Sequence, residues 1–189
     1  MSAVTSPEQL FEHGLQDMYY AEKTLTKVLP KLADEAKDSE LSRAFTSHQK
    51  QTEKHVANLE RVFKELGKTP QSKPCPGIDG IKQEHEDFMK ETGPSSKMVD
   101  AFLTGAASRT EHYEIAAYTD LVSQARALGK REVVTLLQEN LKQEKDTLKK
   151  VETISKRLLK GANGSKTRPR KSTTRKRSTA SRKRAPARA

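Results

Sequence analysis

Glu111-His112-Tyr113-Glu114-Ile115-Ala116-Ala117-Tyr118 decides how this chain is read. Its two glutamates stand three apart, so on a helix they share one face. Following that face both ways gives Leu103, Ala107, Glu111, Glu114, Tyr118, Leu121, Ala125 and Leu128. The spacing predicts a helix that starts at Ser95 or Ser96 and stops at Gly129. Two acids interrupt a stripe that is otherwise apolar, and such a stripe faces the interior of a protein.

The pattern recurs three times. Ser6-Pro7-Glu8-Gln9 reads as a capping box that opens a helix over 7–36, which Pro30 should bend. Its seam is Phe11, Leu15, Met18, Glu22, Leu25, Leu29. Ser39 is placed to cap a second helix that stops at Gly67, with the seam Leu41, Phe45, His48, Thr52, His55, Leu59, Val62, Leu66. Thr69 to Gly80 is rich in Pro and Gly and reads as a loop, followed by a short amphipathic helix over Ile81–Glu91. The last long helix runs from Lys130 to Leu159 and ends at Gly161, with the seam Val134, Leu137, Leu141, Glu144, Leu148, Val151, Ser155, Leu158. The expected fold class is therefore all-α. It is an up-down four-helix bundle over 1–160, with a short extra helix in the crossover between helices two and three.

Glu22, Glu111, Glu114 and Glu144 then converge at one level with His48 and His55, and no Lys or Arg lies on any seam. Four buried carboxylates repel one another and each is costly to desolvate. Either raised pKa values keep them protonated or cations neutralise them. Two divalent cations would balance four negative charges, and Glu oxygens with imidazole nitrogens suit iron or manganese. A dinuclear metal site is the expected cofactor. Glu53 lies one position off the seam and is a substitute for either histidine. The competing reading is that a seam glutamate is a hydrogen-bonded core residue and His55 a core histidine. Of the remaining polar residues, His112 reads as a flank position, and His13 and His85 as solvent-facing. Tyr19 or Tyr20 is placed to hydrogen-bond a ligand, although packing is the simpler role.

Composition sets the outer limits. Among 189 residues there are 36 Lys and Arg against 25 Asp and Glu, a net charge of +11. All of that excess lies after Lys160, in 161–189. This tail holds Lys166, Arg168, Arg170, Lys171, Arg175, Lys176, Arg177, Arg182, Lys183, Arg184 and Arg188, and no acid. With no Leu, Ile, Val, Met or aromatic residue, it cannot bury enough apolar area to offset the cost of ordering, and is expected to be disordered. Its partner class is a polyanion, DNA or RNA, bound without sequence readout because no aromatic residue interleaves. A lone cysteine, Cys75, excludes internal disulfides and thiolate zinc sites. No run approaches the roughly 18 apolar residues of a membrane span. No secretory signal stands out at the N-terminus, so a cytoplasmic location is expected.

Three blocks carry a family resemblance: Met18 to Leu25, Glu111 to Tyr118, and Gln143-Glu144-Lys145. With the loop from Cys75 to Ile81 they resemble the YciE/YciF group of bacterial ferritin-like proteins over about residues 5–158. The resemblance implies a rubrerythrin- or ferritin-like bundle, commonly a homodimer, in bacterial stress responses. It also implies Glu22, Glu111, Glu114 and Glu144 as the matching carboxylates. This chain departs from the pattern at Lys50 and Gln51, beside His48, where the group is acidic. Thr147 stands three after Glu144, where ferritins carry histidine. The expected function is iron oxidation or peroxide handling at the bundle site, with the tail on nucleic acid near the nucleoid. The rival expectation is an inert dimeric scaffold whose tail binds or bridges DNA.

Overall fold

The computed structural model describes residues 3–163. Five helices follow in order: α1 (Pro7–Glu35), α2 (Ser39–Glu65), α3 (Pro76–Thr92), α4 (Ser96–Ala127) and α5 (Arg131–Asn163). There is no strand among the described residues. The four long helices close a ring in which α1 packs on α2, α2 on α5, α5 on α4 and α4 on α1, while α3 lies on α4.

Local chemistry starts and stops these helices where the sequence suggests. Ser6 Oγ accepts from the backbone N–H of Gln9 at 3.2 Å, with Pro7 in the first turn. The Gln9 side chain reaches back to the N–H of Thr5 at 2.8 Å, one residue earlier than in the usual box. Gly67 and Gly129 take positive φ of 67° just past α2 and α4, a conformation that favours glycine and ends each helix. Asp38, not Ser39, caps α2, accepting from Glu40 and Leu41 N–H at 3.1 and 3.0 Å.

Contacts at the helix ends fix the topology. The backbone N–H of Lys37, just after α1, donates to Asp100 near the start of α4 at 2.7 Å. Arg157, late in α5, donates twice to Asp38 at the start of α2, at 3.0 and 2.6 Å. So α1 and α4 run antiparallel, α2 and α5 likewise, and the segment from α2 to α4 must travel the length of the bundle. That segment carries α3, as expected for the crossover.

The core has three layers. Phe11, Leu15, Leu59, Phe63, Leu121 and Leu137 fill one end; Leu29, Leu41, Leu103, Val151 and Ile154 fill the other. Each such side chain contributes about 1.5–3 kcal/mol by leaving water. The acids and histidines lie between these two apolar plugs.

Three expectations change. α3 begins at Pro76, five residues earlier than the loop reading allowed. Proline suits a first helical turn, and Gly77 packs so tightly that a Cβ there would come within 2.6 Å of the Tyr113 ring. α5 continues through Gly161 to Asn163, because a glycine that keeps helical angles costs only about 1 kcal/mol. Its buried face is also rotated. Val133, Leu136, Leu137, Asn140, Glu144, Val151 and Ile154 are buried, whereas Val134, Leu141, Leu148 and Ser155 are only half-buried. The expected disorder of the tail and its eleven basic residues lie outside the described residues.

Candidate metal centre

Each long helix delivers its polar residue through an apolar turn. Met18 and Leu25 bracket Glu22 on α1; Phe45 and Leu59 bracket the pair His48 and His55 on α2. On α4, Leu103 and Leu121 stand outside Glu111 and Glu114, and on α5 Leu137 and Val151 stand outside Glu144. All six polar residues are buried, with 4% exposure or less.

They form two groups that share one carboxylate. His48, Glu111, Glu114 and Glu144 offer ligand atoms that all lie within 4.8 Å of one another, and so do Glu22, His55 and Glu144. In the first group His48 Nε2 is 3.2 Å from Glu111 Oε1 and 3.7 Å from Glu144 Oε2. In the second, His55 Nδ1 is 3.2 Å from Glu22 Oε1 and 2.8 Å from Glu144 Oε1. Each oxygen of Glu144 therefore faces a different histidine.

The cluster is short of hydrogen bonds. Ten buried side-chain N or O atoms lack a partner among the described residues, and seven belong here: Glu22 Oε2, His55 Nδ1, Glu111 Oε2 and both oxygens of Glu114 and Glu144. His55 Nδ1 and Glu144 Oε1 stand 2.8 Å apart without a hydrogen bond between them. An unsatisfied buried polar atom costs about 1–3 kcal/mol. Seven in one layer make sense as a cradle for cations, which need lone pairs that nothing else uses. The donor set of four carboxylates and two imidazoles, with no thiolate, fits iron or manganese.

Electrostatics agree with this. Burial pushes the carboxyls of Glu22, Glu114 and Glu144 upward, and that of Glu111 up to about 8. Burial also holds His48 below its ordinary value, only partly opposed by Glu144. His55 goes the other way. Desolvation is the largest influence and lowers it, but Glu22 and Glu144 together outweigh this and push it up to about 10. Without a cation the layer is a proton store; a cation would displace those protons.

A second set of residues fixes the first. Tyr118 Oη donates to Glu22 Oε1 at 2.5 Å and receives the Asn140 amide at 3.0 Å. Asn58 in turn donates to Asn140 Oδ1 at 2.8 Å. His55 Nε2 stands 3.2 Å from Gln143 Oε1. That acceptor keeps the proton on Nε2 and leaves Nδ1 to face the acids. His48 Nδ1 has a looser neighbour, Thr147 Oγ1 at 3.4 Å.

Of the site residues expected from sequence, Glu22, His48, His55, Glu111, Glu114 and Glu144 are brought together. Glu53 is not. It is exposed on the outer side of α2 and accepts from Gln49 at 3.3 Å, because one step off a seam turns a helical side chain by about 100°. Tyr19 and Tyr20 hydrogen-bond Glu60 and Asp79 instead of a cluster residue. His85 is half-buried, 2.8 Å from Glu35, and does not face solvent. His112 is exposed, bonded to the Ser108 carbonyl at 2.7 Å. Sequence reading missed the supporting role of Asn58, Asn140 and Gln143. Asn140 lies four residues before Glu144, and that helical spacing was the available signal.

Comparison with known proteins places this arrangement. The family profile described as "Domain of unknown function (DUF892)" matches residues 6–162. Protein YciF of Escherichia coli strain K12 is 36% identical over 141 residues, covering 74% of this chain and 84% of that protein. The solved structure of the E. coli stress protein YciF superposes with a TM-score of 0.79, at 32% identity, over 83% of this chain and 99% of that one. YcfI from Rhodopseudomonas palustris gives 0.77 at 39% identity, over 79% and 95%. A Xanthomonas campestris protein at 22% identity and TM-score 0.62 shares the fold. No described helix is long and apolar enough to cross a membrane. With the profile spanning all three acid-bearing helices and the helix that carries the two histidines, the chain belongs to the DUF892 family, the YciE/YciF type.

Proposed function

We propose that the central layer binds a pair of divalent cations, iron or manganese, and that the chain is a ferritin-like stress protein that oxidises ferrous iron or handles peroxide. The observation that supports this most directly is Glu144, whose two oxygens serve two separate groups of buried, unpartnered ligand atoms. Glu144 would bridge the pair. His48, Glu111 and Glu114 would complete one position, and Glu22 with His55 the other. Such a pair supplies one-electron chemistry towards dioxygen or peroxide when bound. The protein's own residues hold the ligands in register, release protons as a cation arrives and keep bulk water out.

Iron loading followed by desalting and elemental analysis tests the reading. Two ions per chain are expected, and Glu144→Gln should hold fewer than about 0.2. Wild-type protein that holds none would overturn it.

The eleven Lys and Arg of 161–189 support a second component, non-specific nucleic-acid binding. If about eight of them meet duplex phosphates, affinity should fall with salt at a log–log slope near −7. Replacing all eleven with Gln should abolish a gel shift with any duplex. A shift that survives would move the binding to the bundle.

A further inference from the structure

A pocket reaches the cluster from one side of the bundle. All four long helices line it: Leu25, Leu29 and Leu32 from α1, Ala44 and Phe45 from α2, Ala107 from α4 and Val151 from α5. Its polar lining is Ser47, His48, Gln51, Thr110, Glu111, Thr147 and Lys150. Its cavity volume is about 40 Å³, enough for a small molecule. His48 and Glu111 are 4% and 2% exposed and belong to the first cation group. Exposed Lys150 and half-buried Gln51 and Thr147 stand at the outer side.

Resting on the metal reading above, we propose that this pocket is the path by which dioxygen reaches the His48–Glu111 side of the cluster. Three observations carry it. Most of the lining surface is apolar, which suits a small apolar molecule and gives a hydrated ion few replacements for its water. Glu111 is the only carboxylate in the lining, and Lys150 adds a positive charge, so the route disfavours cations. Glu111 Oε2 is buried without a partner, leaving a ligand atom unclaimed beside the pocket. The void exists because Ala44 and Ala107 stand where larger side chains would fill the layer. Dioxygen therefore arrives through the wall of the bundle.

Dissolved dioxygen is itself the probe. In the full chain, methyl-labelled and free of metal, pressurised dioxygen should broaden the methyl resonances of Leu25, Leu29, Ala44, Ala107 and Val151 at least about threefold more than those of Leu59 and Leu137. The latter are buried too, and belong to the other plug. Ala107→Leu should abolish that excess. In iron-loaded protein the same substitution should slow reaction with dioxygen about tenfold with two ions still bound. Uniform broadening across the methyls of all seven residues overturns the pocket's role, as does an unchanged rate in an Ala107→Leu protein whose excess broadening is gone. Excess broadening in wild type that binds no iron would instead sink the metal reading alone, leaving the pocket as a gas-accessible void.

Discussion

The two sides of Glu144 are built differently. On the Glu22–His55 side, Asn58, Asn140 and Tyr118 form a chain of hydrogen bonds that ends on Glu22, and Gln143 separately faces His55 Nε2. On the His48 side, Glu111 Oε2 and both oxygens of Glu114 have no such props, Thr147 stands 3.4 Å from His48, and a pocket opens beside His48 and Glu111. One half is pre-formed, so a cation binding there loses little to ligand ordering; the other half has room for its ligands to move. The proposed function divides in the same way, since rigidity favours holding an ion and open space favours admitting a reactant.

The strongest way to break this contrast is at Glu114, which like Glu144 has no hydrogen-bond partner on either oxygen. Glu114→Gln should cut iron from two ions per chain to one. It should also stabilise the metal-free protein to urea, by about 1–3 kcal/mol, because a costly buried acid is gone. Loss of stability would mean that Glu114 is already satisfied without a cation.

Next in size is a pH effect. Glu111 titrates near 8 when folded against 4.5 ordinarily, so between those values the folded state holds a proton that the unfolded state has released. Stability of the metal-free protein must then fall as pH rises from about 4.5 to about 8. His55, raised from 6.5 to about 10, adds a contribution that is complete below 6.5 and lost as pH rises through 10, in the same direction. Cation binding displaces these protons and strengthens with pH. The gap in Tm between loaded and metal-free protein should widen from pH 5 to pH 8. A constant gap would show that the acids are already ionised before loading.

Tyr118→Phe sharpens the comparison, for it removes a prop from one side only. About tenfold weaker binding of one of the two ions is expected, the other being unchanged in a competition titration. Equal weakening of both would erase the distinction between the halves. Glu53→Ala sets the lower end: exposed and off the cluster, it should alter neither metal content nor Tm beyond about 0.5 kcal/mol equivalent.

Much of this was readable from spacing alone. Glu22, Glu111, Glu114 and Glu144 declare themselves because an acid on an apolar stripe conflicts with its surroundings. What escaped was information held between helices. Asn140 looks like an ordinary solvent residue until Asn58 and Tyr118 are placed against it. Its burial turned the face of α5 away from Val134, Leu141 and Leu148, since stripes through residues 137, 144 and 151 can broaden to either side. The start of α3 was hidden for a similar reason. Pro76-Gly77 reads as a turn, and only the Tyr113 ring packed on Gly77 explains a glycine inside a helix there. Glu53 shows the converse error, an acid one position off a seam read as a substitute for either histidine, where the helix turns it outward.

The Arg157–Asp38 clamp has a mechanical consequence. Everything after Asn163 hangs from the last turns of α5, and Arg157 is six residues before that point. Thirteen residues, about 20 Å of helix, separate it from Glu144. A pull on the chain's end by a bound polymer would load the guanidinium grip and the cap of α2 first. The inner ligands would be shielded from that strain, like the hull below a mooring cleat.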